Sequence, residues 1–269
     1  MLSEEGYQIR SLATTYRSGT TLDHHDHEWA QLVYGVRGVM TVRVTEGTWV
    51  VPAHRAVWVP PLTDHTIDML GVVAMRTLYI DPELCRGLPE RCQTIDVAPL
   101  LRELILETVR IGMLHRDIPE QARLIGVIID RMKTIEAAAL RLPWPVHPRL
   151  RKLAEAMQQT PAKPWSLEQA AKQSHVSART IERLFLAETE LTFGRWCLRL
   201  RMLHALKLLA SGQSVTTVAL SVGYQGVSAF IAAFKRELGV TPRHYYERGV
   251  QEARRPEIGK KARSRHAKS

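Results

Sequence analysis

The stretch "SLEQAAKQSHVSARTIERLF", residues 166–185, decides the fold of the C-terminal half. It reads helix, tight turn, helix. Ser166 and Ser177 stand at the two helix starts, where a side-chain oxygen can accept from a free backbone N–H. Glu168 and Gln169 support the first start. In the second helix Ile181, Leu184 and Phe185 form an apolar stripe at i, i+3, i+4 spacing, while Arg179, Glu182 and Arg183 form the opposite stripe. A helix anchored by one face and presenting Arg, Glu and Arg on the other suits base reading in a major groove. Arginine pairs bidentately with guanine and glutamate accepts from cytosine.

The pattern recurs about 48 residues later in "SVTTVALSVGYQGVSAFIAAFKRELGVTP", 214–242. Ala219 takes the place of Ala171, and Phe230, Ala233 and Phe234 that of Ile181, Leu184 and Phe185. An internal repeat of this kind is far more specific than one match alone. Between the two lies "FGRWCLRLRMLHALKLLAS", a helix of roughly 18 residues or ~27 Å at 1.5 Å rise. Such a rod can set two reading helices about one DNA turn, ~34 Å, apart. Arg195, Arg199 and Arg201 near its start are candidates for phosphate contact, while Leu203, Leu206 and Leu209 are read as core.

Charge divides the chain in the same way. The net +10 is the balance of −3 in residues 1–148, +8 in 149–248 and +5 in 249–269. A near-neutral front and a basic back suggest a sensing or catalytic module joined to a polyanion-binding one. No run approaches the roughly 18 apolar residues a membrane span needs, and "MLSEEGYQIR" has no secretory h-region. The three cysteines, Cys85, Cys92 and Cys197, form no CxxC. A cytoplasmic location is expected.

The front half reads differently. "QLVYGV", "VMTVRVT", "TWVV", "AVWV", "HTIDML" and "VVAMRTLYI" are short β-type runs punctuated by Gly38, Gly47, Pro52, Pro60-Pro61 and Gly71. This spacing predicts an antiparallel sandwich or barrel. His25 and His27 are two apart, so on one strand both rings share a face, and Gln31 joins them if the strand is unbroken. His65 follows on a later strand. Three imidazoles and one amide oxygen make a four-ligand set for a divalent transition metal. A ligand pocket without metal and plain packing are the alternatives. Trp29 and Trp58 are candidate walls for a planar effector. Residues 98–141 carry two apolar helical stripes, including Leu100, Leu101, Leu104, Ile105 and Val109, then Leu124, Val127, Ile128 and Met132. They predict a helical hairpin that covers the barrel or pairs two protomers. "LPWPVHP", 142–148, reads as an inter-domain linker.

"HDHEWAQLVYGVRG" with "PPLTDH" resembles the two motifs of the cupin barrel. Gln31 stands where that family has an acid, and Leu62 where it has glycine. Replacing the acid removes a charge from the ligand set and a candidate general base, which favours binding over proton abstraction. Residues 149–247 resemble the DNA-binding domain of AraC/XylS-type transcription regulators, on "LEQAAKQSHVSARTIERLF", "WCLRLRMLHALKLL", "VALSVGYQGVSAFIAAFK" and "GVTPRHYY". That resemblance implies base reading by Arg179, Glu182 and Arg183. In the second motif Gln225, Val227, Ser228, Ile231 and Ala232 replace the long polar readers common in the family, so the second half-site is expected to be read more loosely. Lys235 and Arg236 are expected to position the backbone.

The expected molecule is a two-domain α+β protein. A cupin-like effector barrel (1–97) and a helical hairpin for dimerisation (98–141) precede the linker. A tandem helix-turn-helix domain (149–248) and a disordered basic tail (249–269) follow. The expected function is transcription regulation, by activation, as a homodimer acting on double-stranded DNA under a small-molecule effector, with RNA polymerase a candidate partner. A metal-dependent cupin dioxygenase or isomerase, and a constitutive DNA-binding protein with a structural barrel, are the alternative functions.

Overall fold

The computed structural model describes residues 6–53, 55–133, 141–239 and 241–243. The basic tail, 249–269, and residues 1–5 lie outside the described residues. The chain forms an antiparallel β-sheet domain followed by an all-helical domain.

Among the described residues nine strands make one sheet: β1 (Tyr7–Tyr16), β2 (Thr21–His25), β3 (Ala30–Val44), β4 (Gly47–Pro52), β5 (Arg55–Val59), β6 (His65–Ile80), β7 (Gln93–Asp96), β8 (Met113–His115) and β9 (Arg141–Pro143). The principal order is β7-β5-β3-β6-β1-β8; β2 joins β6, and β4 joins β3 and β9. Two pairs of runs that read as separate strands in the sequence are single long strands here. Gly38 and Gly71, read as turn signals, are kinks inside β3 and β6 at φ +84° and +72°. The register of β3 against β6 slips on either side of Arg37, as a bulge requires. A Cβ on Gly38 would stand 2.6 Å from the Val72 carbonyl oxygen, so no side chain fits there.

The kinks fold the sheet over itself into an open barrel. Val33, Val57, Val59, Val73 and Met75 from one half meet Met40, Val42, Trp49, Val51, Ile67 and Met69 from the other in a shared inner core. Both outer faces are covered. On the first lie α1 (Pro99–Ile111) and α2 (Pro119–Lys133), which bury Leu101, Ile105, Ile125, Ile128, Ile129 and Met132 against Leu32, Tyr34, Trp58 and Leu78. The expected helical hairpin is therefore present, although β8 interrupts it and pairs with β1. Burial of an aliphatic side chain is worth ~1.5–3 kcal/mol, so this face holds the hairpin firmly. Leu100 and Val127, at the edge of the same stripes, remain exposed.

On the second outer face sits the helical domain: α3 (Pro148–Gln159), α4 (Leu167–Ser174), α5 (Ala178–Thr189), α6 (Phe193–Ala210), α7 (Val215–Ser221) and α8 (Val227–Leu238). Its core is continuous with the sheet. Val39, Val50, Leu142 and Trp144 cluster with Leu150, Trp196, Leu200, Leu203 and the rest of the helical interior. The segment read as a linker is thus part of the structure. Arg141–Pro143 adds an edge strand to β4. The Trp144 indole donates to Thr48 Oγ1 at 3.2 Å, and the Trp196 indole donates to the Pro143 carbonyl at 2.7 Å.

Candidate functional site

The histidines meet at the inner face where the two halves of the sheet come together. His25 and His65 are register partners on β2 and β6. The strand expected to carry His25, His27 and Gln31 together is broken: β2 ends at His25, His27 lies in the connection, and Gln31 is the second residue of β3. They converge nonetheless, because the Leu62 N–H donates to the His27 carbonyl at 2.9 Å and pins the turn. Ligand nitrogens of His25, His27 and His65 lie within 4.8 Å of one another. Gln31 Oε1 is 3.2 Å from His27 Nε2 and 3.1 Å from His65 Nε2.

Hydrogen bonding fixes the tautomer of all three rings. Nδ1 of His25 faces the Asp23 carbonyl at 2.7 Å, that of His65 faces the Thr63 carbonyl at 2.8 Å, and that of His27 faces the Trp29 carbonyl. Carbonyl oxygen only accepts, so each Nδ1 carries the hydrogen and each neutral ring turns a lone pair inward from Nε2. Backbone bonds of this kind orient metal-ligating imidazoles. Burial pushes the His65 pKa down to about 4, with His25 and His27 adding to the effect, so that ring is neutral near pH 7. Two inward lone pairs facing an amide oxygen repel. A cation among them resolves the conflict; so does turning the amide to donate to both rings. The donor set therefore fits a divalent ion of the class that favours imidazole.

Around the cluster the inner face carries a polar row. Arg10 on β1 opposes Tyr79 on β6, and Tyr79 opposes Gln31 on β3. The Tyr79 ring stands edge-on to His27 with centroids 5.3 Å apart. Trp29 lies at the rim with the Arg10 guanidinium over it, 4.5 Å from its centroid. Arg10 was missed in the sequence because β1 was not recognised, although "YQIRSLATTY" is rich in Tyr, Ile and Thr; Tyr79 lies in a run read as a strand, and only the register of β6 against β1 and β3 sets it beside Gln31. Trp58 is a correction. It opposes Leu32 across the ladder, on the outer face, buried beneath the hairpin and donating to the Pro89 carbonyl at 2.8 Å. Alternation along β5 turns Val57 and Val59 inward and Trp58 away from the histidines.

The two domains enclose a groove of about 660 Å³ lined by His24, Asp64, Arg43, Trp144, Arg151 and Glu155, among others. His24 and Asp64 pair at 2.9 Å. They are the chain neighbours of His25 and His65, so the cluster and the domain seam share a wall.

In the first motif of the helical domain the stripe expected to read bases lies in solvent. Arg179, Glu182 and Arg183 are exposed on α5, while Ile181 and Phe185 are fully buried. Ser166 and Gln169 form a reciprocal capping box, and Ser177 caps α5. On α8, Ser228, Ala229 and Ala232 are exposed, as are Gln225 before it and Lys235 and Arg236 at its end. Val227 and Ile231 are half-buried and pack against the core, which leaves them little surface to offer a groove. Arg199 is a further correction. Its guanidinium is turned inward beside the buried Glu237, 3.7 Å away, with its side chain only 15% exposed. Burial holds its pKa below the usual value. Arg199 therefore ties α6 to α8 and is not presented to phosphate. Arg195, 3.8 Å from the same carboxylate, keeps most of its side chain in solvent.

A sheet domain with a polar inner site, sharing a core with two helix-turn-helix units, defines a ligand-responsive DNA-binding regulator. Residues 10–171 match the family model described as AraC-like ligand binding domain, and residues 170–248 match that described as Helix-turn-helix domain. The chain is 34% identical to the HTH-type transcriptional regulator NimR of Escherichia coli K12, over 83% of this chain and 82% of that one. It is 34% identical to the RCS-specific HTH-type transcriptional activator RclR of the same organism over 38% of this chain and 37% of that protein. Among solved structures, ToxT of Vibrio cholerae aligns over 90% of this chain and 98% of its own, at 10% identity and a TM-score of 0.39.

The chain belongs to the AraC family of helix-turn-helix transcription regulators. It is a DNA-binding regulator with an AraC-like ligand-binding domain, and its relatives are regulators rather than enzymes. Among the described residues no helix is long and apolar enough to cross a membrane.

Proposed function

We propose that this regulator senses a small molecule at the histidine-lined inner face of its sheet domain and, on binding it, activates transcription from a site read chiefly by Arg179, Glu182 and Arg183. The observation that carries the reading is the convergence of three tautomer-fixed Nε2 atoms and Gln31 one residue away from the groove facing the DNA-binding domain. A divalent transition metal held by His25, His27, His65 and Gln31 would polarise and orient the effector. A bound effector with different affinity for two arrangements of the groove shifts the population competent for DNA. Activation is supported by the relation to the activator RclR, and RNA polymerase is the partner that an activator would engage. Exposed Leu100 and Val127 beside the hairpin's buried stripe support a homodimer, which would raise avidity for a two-part operator.

Purified protein is expected to contain near-stoichiometric metal that His27→Ala loses, and chelation is expected to change affinity for operator DNA. Wild-type protein that is free of metal and keeps its DNA response would remove the metal from this reading. DNA affinity and thermal stability unmoved by any compound would leave a constitutive DNA-binding protein.

A further inference from the structure

The donor set at the histidines carries no negative charge. Three neutral imidazoles and one amide leave a divalent ion with its full charge, because Gln31 occupies the place where an acid would have supplied compensation. The carboxylates nearest along the chain, Asp26, Glu28 and Asp64, are exposed, and among the described residues none joins the cluster of ligand atoms. Asp64 already faces His24. The one charged member of the inner row adds to the imbalance: Arg10 stands opposite Tyr79, which stands opposite Gln31. Side chains directly opposite in an antiparallel ladder share a face. Arg10 thus starts two strand spacings, roughly 9–10 Å, from Gln31, a gap that its own long side chain largely spans. The Trp29 ring lies under the guanidinium, 4.5 Å from its centroid, beside the turn that carries His27. Tyr79, between them, brings a hydroxyl that can donate.

We infer that the effector is a small carboxylate. It supplies the negative charge the ligand set lacks, with Arg10 as its second positive partner and Tyr79 as a hydrogen-bond donor. This rests on the metal reading of the same site, and it names the chemical class that the site selects. Charge-assisted pairing with a guanidinium adds geometric selection that a point charge would not give. An uncharged ligand of the same shape would leave both the ion and Arg10 uncompensated and would be rejected.

The test uses full-length protein loaded with Co²⁺, whose visible spectrum reports its ligands, and benzoate as the probe, with benzamide as its uncharged match. Saturable spectral change with benzoate and none with benzamide is expected. Arg10→Ala, at an exposed position, should keep cobalt and weaken benzoate about tenfold. Gln31→Glu should keep cobalt and abolish the benzoate response, because the protein then supplies the carboxylate itself. Cobalt that binds at the histidines but ignores benzoate, or responds equally to benzamide, overturns the carboxylate assignment and leaves the metal site standing. Protein that takes up no cobalt, or takes up as much when His27 is replaced by alanine, overturns the metal reading and the carboxylate assignment with it.

Discussion

Leu62 adopts φ +56° in the loop before β6, a left-handed conformation in a residue that is 69% exposed. The cupin resemblance places glycine at this position, and the backbone has kept the shape that glycine would allow. A side chain there costs ~1–2 kcal/mol, and glycine gives part of that back through the unfolded chain. Leu62→Gly is therefore expected to stabilise the protein by about 0.5–1 kcal/mol, read as a higher urea midpoint at unchanged slope. His65 makes a prediction of opposite sign. Its folded pKa of about 4 lies below the ordinary histidine value of 6.5, so the unfolded chain takes up the proton first. In metal-free protein this group contributes a loss of stability as pH falls from 6.5 to about 4 and none above that window. Substituting His65 should flatten the profile there; a profile unchanged by substitution would contradict its burial as a neutral ring. At the DNA face, Arg183→Ala is expected to cost ~1–3 kcal/mol at a cognate site and to relax one base position in a binding-site selection. The convergence of His25, His27, His65 and Gln31 and the exposure of Arg179, Glu182 and Arg183 were legible in the sequence because motif spacing carries them. Arg10 and Tyr79 were not, because they reach the site only through strand register.

The elements differ in how plainly the sequence announces them. The helices of the DNA-binding domain are local objects, with caps, stripes and turns within a few residues, and α4, α5, α6 and α8 fall where those signals put them. The sheet is different. Gly38 and Gly71 look like turn punctuation, and only the partner strand shows that they are kinks in β3 and β6. The short strands β8 and β9 lack any periodicity of their own and exist because an edge of β1 or β4 is there to receive them. The two helices expected to read bases also differ from each other. α5 offers long charged side chains, while α8 offers Ser228, Ala229 and Ala232. Ser228→Ala should change affinity by less than about 0.5 kcal/mol and leave sequence preference intact, against the much larger effect at Arg183. In the hairpin, Leu100→Arg with Val127→Arg should convert a dimer into a monomer in sedimentation without lowering thermal stability, since neither residue belongs to the buried stripe.

At the scale of the molecule, three layers are stacked: the hairpin, the folded sheet and the DNA-binding domain. Charge division along the chain marked two functions correctly, yet three prolines in 142–148 suggested a free linker where the structure has a strand and a buried tryptophan. The proline-rich composition fits an edge strand equally well, since edges tolerate a missing N–H. Contact between the domains was invisible because Val39, Val50 and Trp144 read as ordinary apolar residues until their partners on α6 are known. A core cluster shared by the sheet and the helical domain predicts one cooperative unfolding transition in calorimetry. Trp144→Ala, which removes an indole from both the sheet face and α3, should split it into two or lower the DNA-binding domain's transition separately.

That shared core also bears on how such regulators can be recombined. A biosensor made by grafting a foreign sensor onto this reading head cannot be cut at the apparent hinge. The cut there would strip an edge strand from one parent and expose the α6 contact of the other. The natural unit of exchange is a sensor together with residues 141–147 and the α6 surface that receives them, and chimeras drawn along that boundary are the ones expected to stay soluble and inducible.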